Sequence, residues 1–124
     1  MTASSSSTFI YPEVVARPMP VAELTDADFD SILAARLLAL VDFWGPDCGP
    51  CVPLGKIVEE LGRLHAPRLD VFKLNIDENP ETVVRHGVMA APTLILFSKG
   101  REVERLIGGQ SRGAIEKVLA KHLR

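Results

Sequence analysis

The chain has 124 residues, 47% hydrophobic and 24% charged, with a formal net charge of −2. That length suits one domain with a core of its own, and the composition is ordinary for a globular protein. Without a basic excess the reading is no nucleic acid and no anionic membrane surface. No apolar run approaches the ~18 residues of a membrane-spanning helix.

Residues 1–20 differ from the rest of the chain. Ser4-Ser5-Ser6-Ser7 and Pro12, Pro18 and Pro20 are typical of a linker, while Phe9, Ile10, Tyr11, Val14 and Val15 are more apolar than a linker requires. The expectation is an N-terminal arm, flexible or docked, before a folded domain over 21–124. The first residues show neither a basic n-region nor an apolar h-region. A cytoplasmic, reducing setting is therefore expected, where a cysteine pair is catalytic or metal-binding rather than structural. Charge and size are consistent with a monomer.

From Val21 onward, strands and helices alternate. Val21–Leu24 reads as a short strand. Thr25 is placed to cap a helix through Phe29, Ile32 and Leu33, with Asp26 and Asp28 in its first turn, where the helix dipole favours acids. Leu37–Trp44 is an apolar run broken only by Asp42, the pattern of a buried strand. A helix is predicted from about Gly49 to His65, with Val52, Ile57, Val58, Leu61 and Leu64 as its apolar face. Leu69–Ile76 alternates as a strand. Asn79-Pro80 marks a helix start, and that helix ends at Gly87. Thr93–Ser98, the turn Lys99-Gly100 and Glu102–Ile107 form a hairpin. Ser111 caps a last helix with Ile115, Val118, Leu119 and His122-Leu123 facing inward. The order β-α-β-α-β-α-β-β-α predicts an α/β fold, its early strands parallel and its hairpin antiparallel.

The two cysteines are Cys48 and Cys51, separated by Gly49 and Pro50 and set between a predicted buried strand and a predicted helix. A helix N-terminus carries partial positive charge and unpaired N–H groups, so a thiol there is stabilised as the reactive thiolate. Cys48 is then the nucleophile, and Cys51, one turn inside and less exposed, is close enough to form a disulfide with it. Two other readings compete. A zinc half-site needs two more ligands, and His65, His86 and His122 are scattered. A static disulfide would close a loop too short to constrain much. The histidines read as solvated or helix-end residues rather than partners of a cysteine hydrolase.

Asp42 is the second unusual residue. A carboxylate inside a buried strand is costly without a role or a partner. Six residues before Cys48, it should lie beneath the start of the helix, where it could accept the Cys51 proton directly or through water. A structural pair with Lys73 on the neighbouring strand is the other reading, and the two are compatible. Pro92, in Ala91-Pro92-Thr93, either opens an edge strand or sits at a cis peptide.

Val41-Asp42-Phe43-Trp44, Cys48-Gly49-Pro50-Cys51, Lys73-Leu74-Asn75-Ile76-Asp77, Pro92-Thr93-Leu94 and Phe97-Ser98-Lys99-Gly100, in this order and spacing, resemble the thioredoxin family over about Val21–Leu123. The resemblance implies a three-layer α/β/α fold around a central mixed sheet. It implies a disulfide reductase in which Cys48 attacks a substrate disulfide and Cys51 resolves the mixed disulfide, with Asp42 as buried acid and Lys73 as its partner. It implies a cis Pro92 facing the cysteines, and a docking surface of Trp44, Gly49, Pro50, Ala91, Pro92 and Gly108. It implies no bound cofactor, no metal, and electrons from NADPH through a flavin-containing thioredoxin reductase. Asp47 stands where the family has tryptophan; on the docking face it adds a negative charge and should raise the Cys48 pKa, making the couple more reducing. The family's kink proline is missing near Lys56, with Pro53 and Gly55 nearby, and the N-terminal arm is extra. A different class of reading, a redox-inactive binding module, has no use for the intact cysteine pair with Asp42.

Overall fold

In the computed structural model, which describes residues 21–123, the elements in chain order are β1 (Ala22–Glu23), α1 (Phe29–Ala34), β2 (Ala39–Trp44), α2 (Cys51–His65), β3 (Asp70–Asn75), α3 (Pro80–Arg85), β4 (Thr93–Ser98), β5 (Arg101–Ile107) and α4 (Arg112–Leu119). The expected N-terminal arm lies outside the described residues.

The strands form one sheet in the order β1-β3-β2-β4-β5. β1 and β2 both run parallel to β3, whereas β4 is antiparallel to β2 and to β5. The mixed sheet and its antiparallel hairpin are as expected. The centre belongs to β2, which explains an apolar run broken only by Asp42: both of its faces are covered. Ala39, Val41 and Phe43 point to a cluster with Phe29 and Leu33 of α1, Phe72 and Leu74 of β3, and Ile95 and Phe97 of β4. Leu38 and Leu40 point the other way, to Leu54, Val58 and Leu61 of α2, Leu94 and Leu96 of β4, and Ile115 and Leu119 of α4. Helices thus cover both faces of the sheet, and each fully buried Leu or Phe contributes about 1.5–3 kcal/mol.

Three helix predictions need correction. Helix α2 starts at Cys51, two residues later than expected, because Pro50 occupies the N-cap. Its buried stripe is Cys51, Leu54, Val58 and Leu61. Val52 and Leu64 are 64% and 59% exposed, because the stripe follows the phase set by Cys51 and leaves them off it. Pro53 falls in the first turn, where its missing N–H costs no helical bond.

The second correction concerns Asp26. Helix α1 begins only at Phe29, with Asp28 at its N-cap. Asp26 instead serves α3, 53–56 residues away. Its carboxylate accepts from the Thr82 N–H (2.8 Å), the Thr82 hydroxyl (2.7 Å) and the Glu81 N–H (3.3 Å). Asn79 is the N-cap residue as predicted, but its side chain makes no cap bond. It accepts from the Asp26 N–H (2.9 Å) and donates to the Asn75 carbonyl (3.0 Å). Asp26 thus does the capping at α3, and the Asn79 side chain ties the segment before α1 to the end of β3.

The third correction is at the chain's end. Ser111 caps α4 by accepting from the Ala114 N–H (3.1 Å), as predicted, but α4 stops at Leu119. His122 lies beyond it and pairs with Glu104 at 2.8 Å, while Leu123 packs on the second cluster. His86 also departs from the solvated reading. It is at the end of α3, yet its ring sits 5.0 Å from that of Phe29 and 5.5 Å from that of Phe97, and this burial pulls its pKa down.

Gly62 shows how closely α2 lies on the sheet. A methyl group added there would run into the side chain of Val71 on β3. Gly62→Ala is expected to lose about 1–3 kcal/mol in urea unfolding, as overpacking does. Val71→Ala in the same chain should return much of that loss; if the double variant is no better than the sum of the singles, helix-to-sheet crowding is not the cause.

Candidate active site

The site forms where β2 ends and α2 begins. β2 delivers Asp42 and Trp44, and the turn Gly45–Pro50 carries the chain across to the helix. Cys51 donates its N–H to the Cys48 carbonyl (3.2 Å) and Val52 to that of Gly49 (3.3 Å), tight turns that lead into the helix. Cys48 therefore precedes α2, and Cys51 is its first residue. The two are joined as a disulfide with Cα atoms 5.3 Å apart. Cys48 is half-buried, whereas Cys51 is only 6% exposed.

The loops that face this turn are drawn in by specific contacts. The Ala91–Pro92 peptide is cis, and the Pro92 carbonyl accepts from the Gly108 N–H at 2.8 Å. Gly108 has a φ of 86°, which suits glycine. A Cβ on Gly109 would stand 3.7 Å from that of Pro50, and one on Gly45 would stand 3.8 Å from that of Ala91. Of the residues named from the sequence, Trp44 thus comes from the end of β2, and Asp47, Gly49, Pro50, Ala91, Pro92 and Gly108 from three loops that meet beside it. Pro92 itself is buried, while Asp47, Gly49 and Pro50 are exposed.

Asp42 lies beneath the helix, 3% exposed. It is in register with Lys73 on one side and Leu94 on the other. Its Oδ1 is buried with no hydrogen-bond partner among the described residues, and its Oδ2 lies 3.9 Å from where a Cβ on Gly55 would be. Glycine at 55 leaves this carboxylate room under the helix. Burial raises the pKa of Asp42 to about 6, against a smaller lowering by Lys73. Lys73 is half-exposed: its Nζ is 3.7 Å from Glu23 Oε2 and 5.7 Å from the Trp44 ring centroid. The ion pair of Lys73 is therefore with Glu23 on β1 rather than with Asp42, which feels it as a nearby charge.

A cavity of about 240 Å³ joins these parts, lined by Asp42, Trp44, Gly45, Pro46, Cys48, Cys51, Val52, Gly55 and Lys73. On the outer side of the cysteines, Gly45–Pro50 together with Ile76, Asp77 and Ala91 line an open groove of about 440 Å³. Sequence reasoning missed Ile76, Asp77, Gly109 and Val52 as neighbours of the site. Gly108-Gly109 after a strand was an available signal for a close approach; for the others no local signal existed.

Comparison with known proteins agrees with this geometry. The sequence profile described as Thioredoxin matches residues 20–121. The chain belongs to the thioredoxin family. A thioredoxin from Alicyclobacillus acidocaldarius is 47% identical over 97 residues, 78% of this chain and 92% of that protein. One from Staphylococcus aureus is 42% identical over 105 residues, 85% of this chain and all of that protein. A solved mutant thioredoxin from Halobacterium salinarum superposes with a TM-score of 0.77 at 29% identity, covering 88% of this chain and 96% of the other. The thioredoxin fold and a thiol–disulfide oxidoreductase with a Cys48–Cys51 redox pair are thereby established. Thioredoxins need no bound cofactor. Among the described residues no cluster of three or more His, Cys, Asp or Glu could hold a metal ion, and no helix is long and apolar enough to cross a membrane.

Proposed function

We propose that this thioredoxin-family chain reduces protein disulfides in the cytoplasm, with electrons from NADPH passed on by a thioredoxin reductase, and that residues 21–124 suffice for it. The carrying observation is the half-buried Cys48 ahead of a helix, bonded to a buried Cys51 that shares a cavity with an unpartnered carboxylate.

In the reduced protein, Cys48 attacks one sulfur of the substrate disulfide and the other sulfur leaves as a thiolate. The N–H groups at the start of α2 favour the Cys48 thiolate. Cys51 then gives its proton to Asp42, directly or through water in the cavity, and attacks Cys48. The second substrate sulfur leaves, so the substrate has gained two electrons and the protein ends in the disulfide form. A carboxyl with a pKa near 6 is suited to take up and release that proton near neutral pH, and Lys73 tunes it. Trp44, Asp47, Gly49, Pro50, Ala91, Pro92 and Gly108 form the surface against which the substrate chain lies.

Reduction of insulin, driven by NADPH and a thioredoxin reductase, tests the proposal. Turnover is expected with the reductase. Activity with dithiothreitol alone would keep the chemistry and reject this electron donor, and no activity with either would reject the function.

Asp47 is exposed beside Cys48. Its charge costs the thiolate roughly 0.7 kcal/mol at ~6 Å in water, about half a pKa unit. Asp47→Asn is expected to lower the Cys48 pKa and make the couple less reducing, as read by equilibration with glutathione. An unchanged or more reducing couple would remove Asp47 as a determinant.

A further inference from the structure

The open groove next to Cys48 is lined by Gly45, Pro46, Asp47, Cys48, Gly49, Pro50, Ile76, Asp77 and Ala91. It contains two carboxylates, and among the described residues no lysine, arginine or histidine lines it. Most exposed acids elsewhere are committed to partners. Glu23 pairs with Lys73, Asp30 with Arg85, Glu60 and Glu116 with Arg112, Glu102 with Arg105, and Glu104 with His122. Asp70 faces Arg36, and Asp26 caps α3. Asp47 and Asp77 carry no ion pair and no side-chain hydrogen bond among the described residues. The bond at Asp77 is made by its backbone N–H, to Asn75 Oδ1 at 2.9 Å. Both residues are exposed, and they come from separate parts of the chain, the turn before α2 and the turn after β3.

We propose that Asp47 and Asp77 select substrates with a lysine or arginine next to the disulfide cysteine. The inference rests on Cys48 as the attacking thiol, because the groove matters only if the scissile disulfide is brought there. A substrate chain that presents its sulfur to Cys48 passes residues adjacent to that sulfur over the groove, between the two free carboxylates. A cationic side chain there gains two attractions, and an acidic one meets two repulsions. Each exposed pair is weak. Together they are sufficient for about a fivefold preference at low salt, expressed mainly in association rate, and screened as ionic strength rises.

The test uses the reduced protein and two synthetic disulfide peptides that differ only in Lys or Glu beside the target cysteine. Each second-order rate is divided by that of dithiothreitol with the same peptide, which removes the peptide's own reactivity. The expected normalised preference for the Lys peptide is about fivefold at ~20 mM salt, falling towards one at ~0.5 M. Asp47→Asn and Asp77→Asn should each reduce it, and the double variant should abolish it. The ratio is insensitive to the effect of Asp47 on Cys48 itself, since both peptides meet the same thiol. A ratio of one in the wild type, or a preference that survives in the double variant, overturns the proposal while leaving the reductase reading intact. If neither peptide is reduced, the reading of Cys48 falls with it.

Discussion

Cys51→Ser is expected to turn the protein from a catalyst into a trap. With Cys48 intact, the first exchange still takes place and a mixed disulfide between Cys48 and the substrate forms. The serine hydroxyl cannot displace it, so turnover in the insulin assay should fall at least a hundredfold while a covalent adduct accumulates, visible on a non-reducing gel and released by dithiothreitol. Cys48→Ser should lose turnover just as completely but form no adduct, because the remaining thiol of Cys51 is 6% exposed and has little access to a bulky disulfide. The contrast between the two variants assigns the order of attack. If Cys51→Ser keeps turnover within tenfold of wild type, or if Cys48→Ser is the variant that traps, the assigned roles are wrong. Both substitutions keep the shape of the side chain and exchange its sulfur for a smaller oxygen, so folding is expected to survive; a thermal melt checks this.

Asp42→Asn is expected to raise stability above pH 6 and to slow the resolving step. In the unfolded chain the Asp42 carboxyl titrates near 3.8, and in the folded chain near 6, so folding opposes its ionisation. Below pH 3.8 both states hold the proton and the residue is neutral towards stability. Between 3.8 and 6 the unfolded state ionises first, and stability is lost as pH rises. Above 6 the loss is constant, and at about 1.4 kcal/mol per pKa unit it amounts to about 3 kcal/mol. The asparagine cannot ionise. Its advantage over the wild type should therefore open between pH 4 and 6 and stay level above, reaching on the order of 10 °C in Tm for a chain of this size. The measurement is urea or thermal unfolding of the oxidised proteins from pH 3.5 to 8. Curves that run parallel would mean that Asp42 ionises as easily in the fold as in water. In the same variant the Cys51 proton has lost its acceptor, and turnover should fall about tenfold to a hundredfold, at or below the low end of what a positioned base supplies. A gain in stability with a loss of rate separates a proton acceptor from a residue that merely fills space.

How much of this is legible in the sequence depends on the range of the interaction. Periodicity along the chain marks β2 as a doubly covered strand, and the same pattern exposes Asp42 as an intrusion. The strand-to-helix setting of Cys48 and Cys51 needs only neighbouring residues. The capping role of Ser111 is also local, and there sequence and structure agree. Errors begin where a local rule has two solutions. Proximity assigns Asp26 to the nearest helix start, yet it caps a helix more than fifty residues on, since an acid favours any helix N-terminus that packing brings to it. Strand pairing matches Lys73 with Asp42, yet its long side chain reaches out to Glu23 at the sheet edge, where the charge stays hydrated.

By itself, then, the sequence determined the order and type of the elements, the doubly covered character of β2, and the chemistry of the cysteine pair, because each of these is written in spacings of two to seven residues. The tertiary structure alone decided that β3 lies between β1 and β2, that the Pro92 carbonyl meets the Gly108 N–H, and that Asp47 and Asp77 border one groove. A strand's alternation shows which side chains share a face but not which strand lies beside it. Such contacts exist only once the sheet has closed and its loops have met.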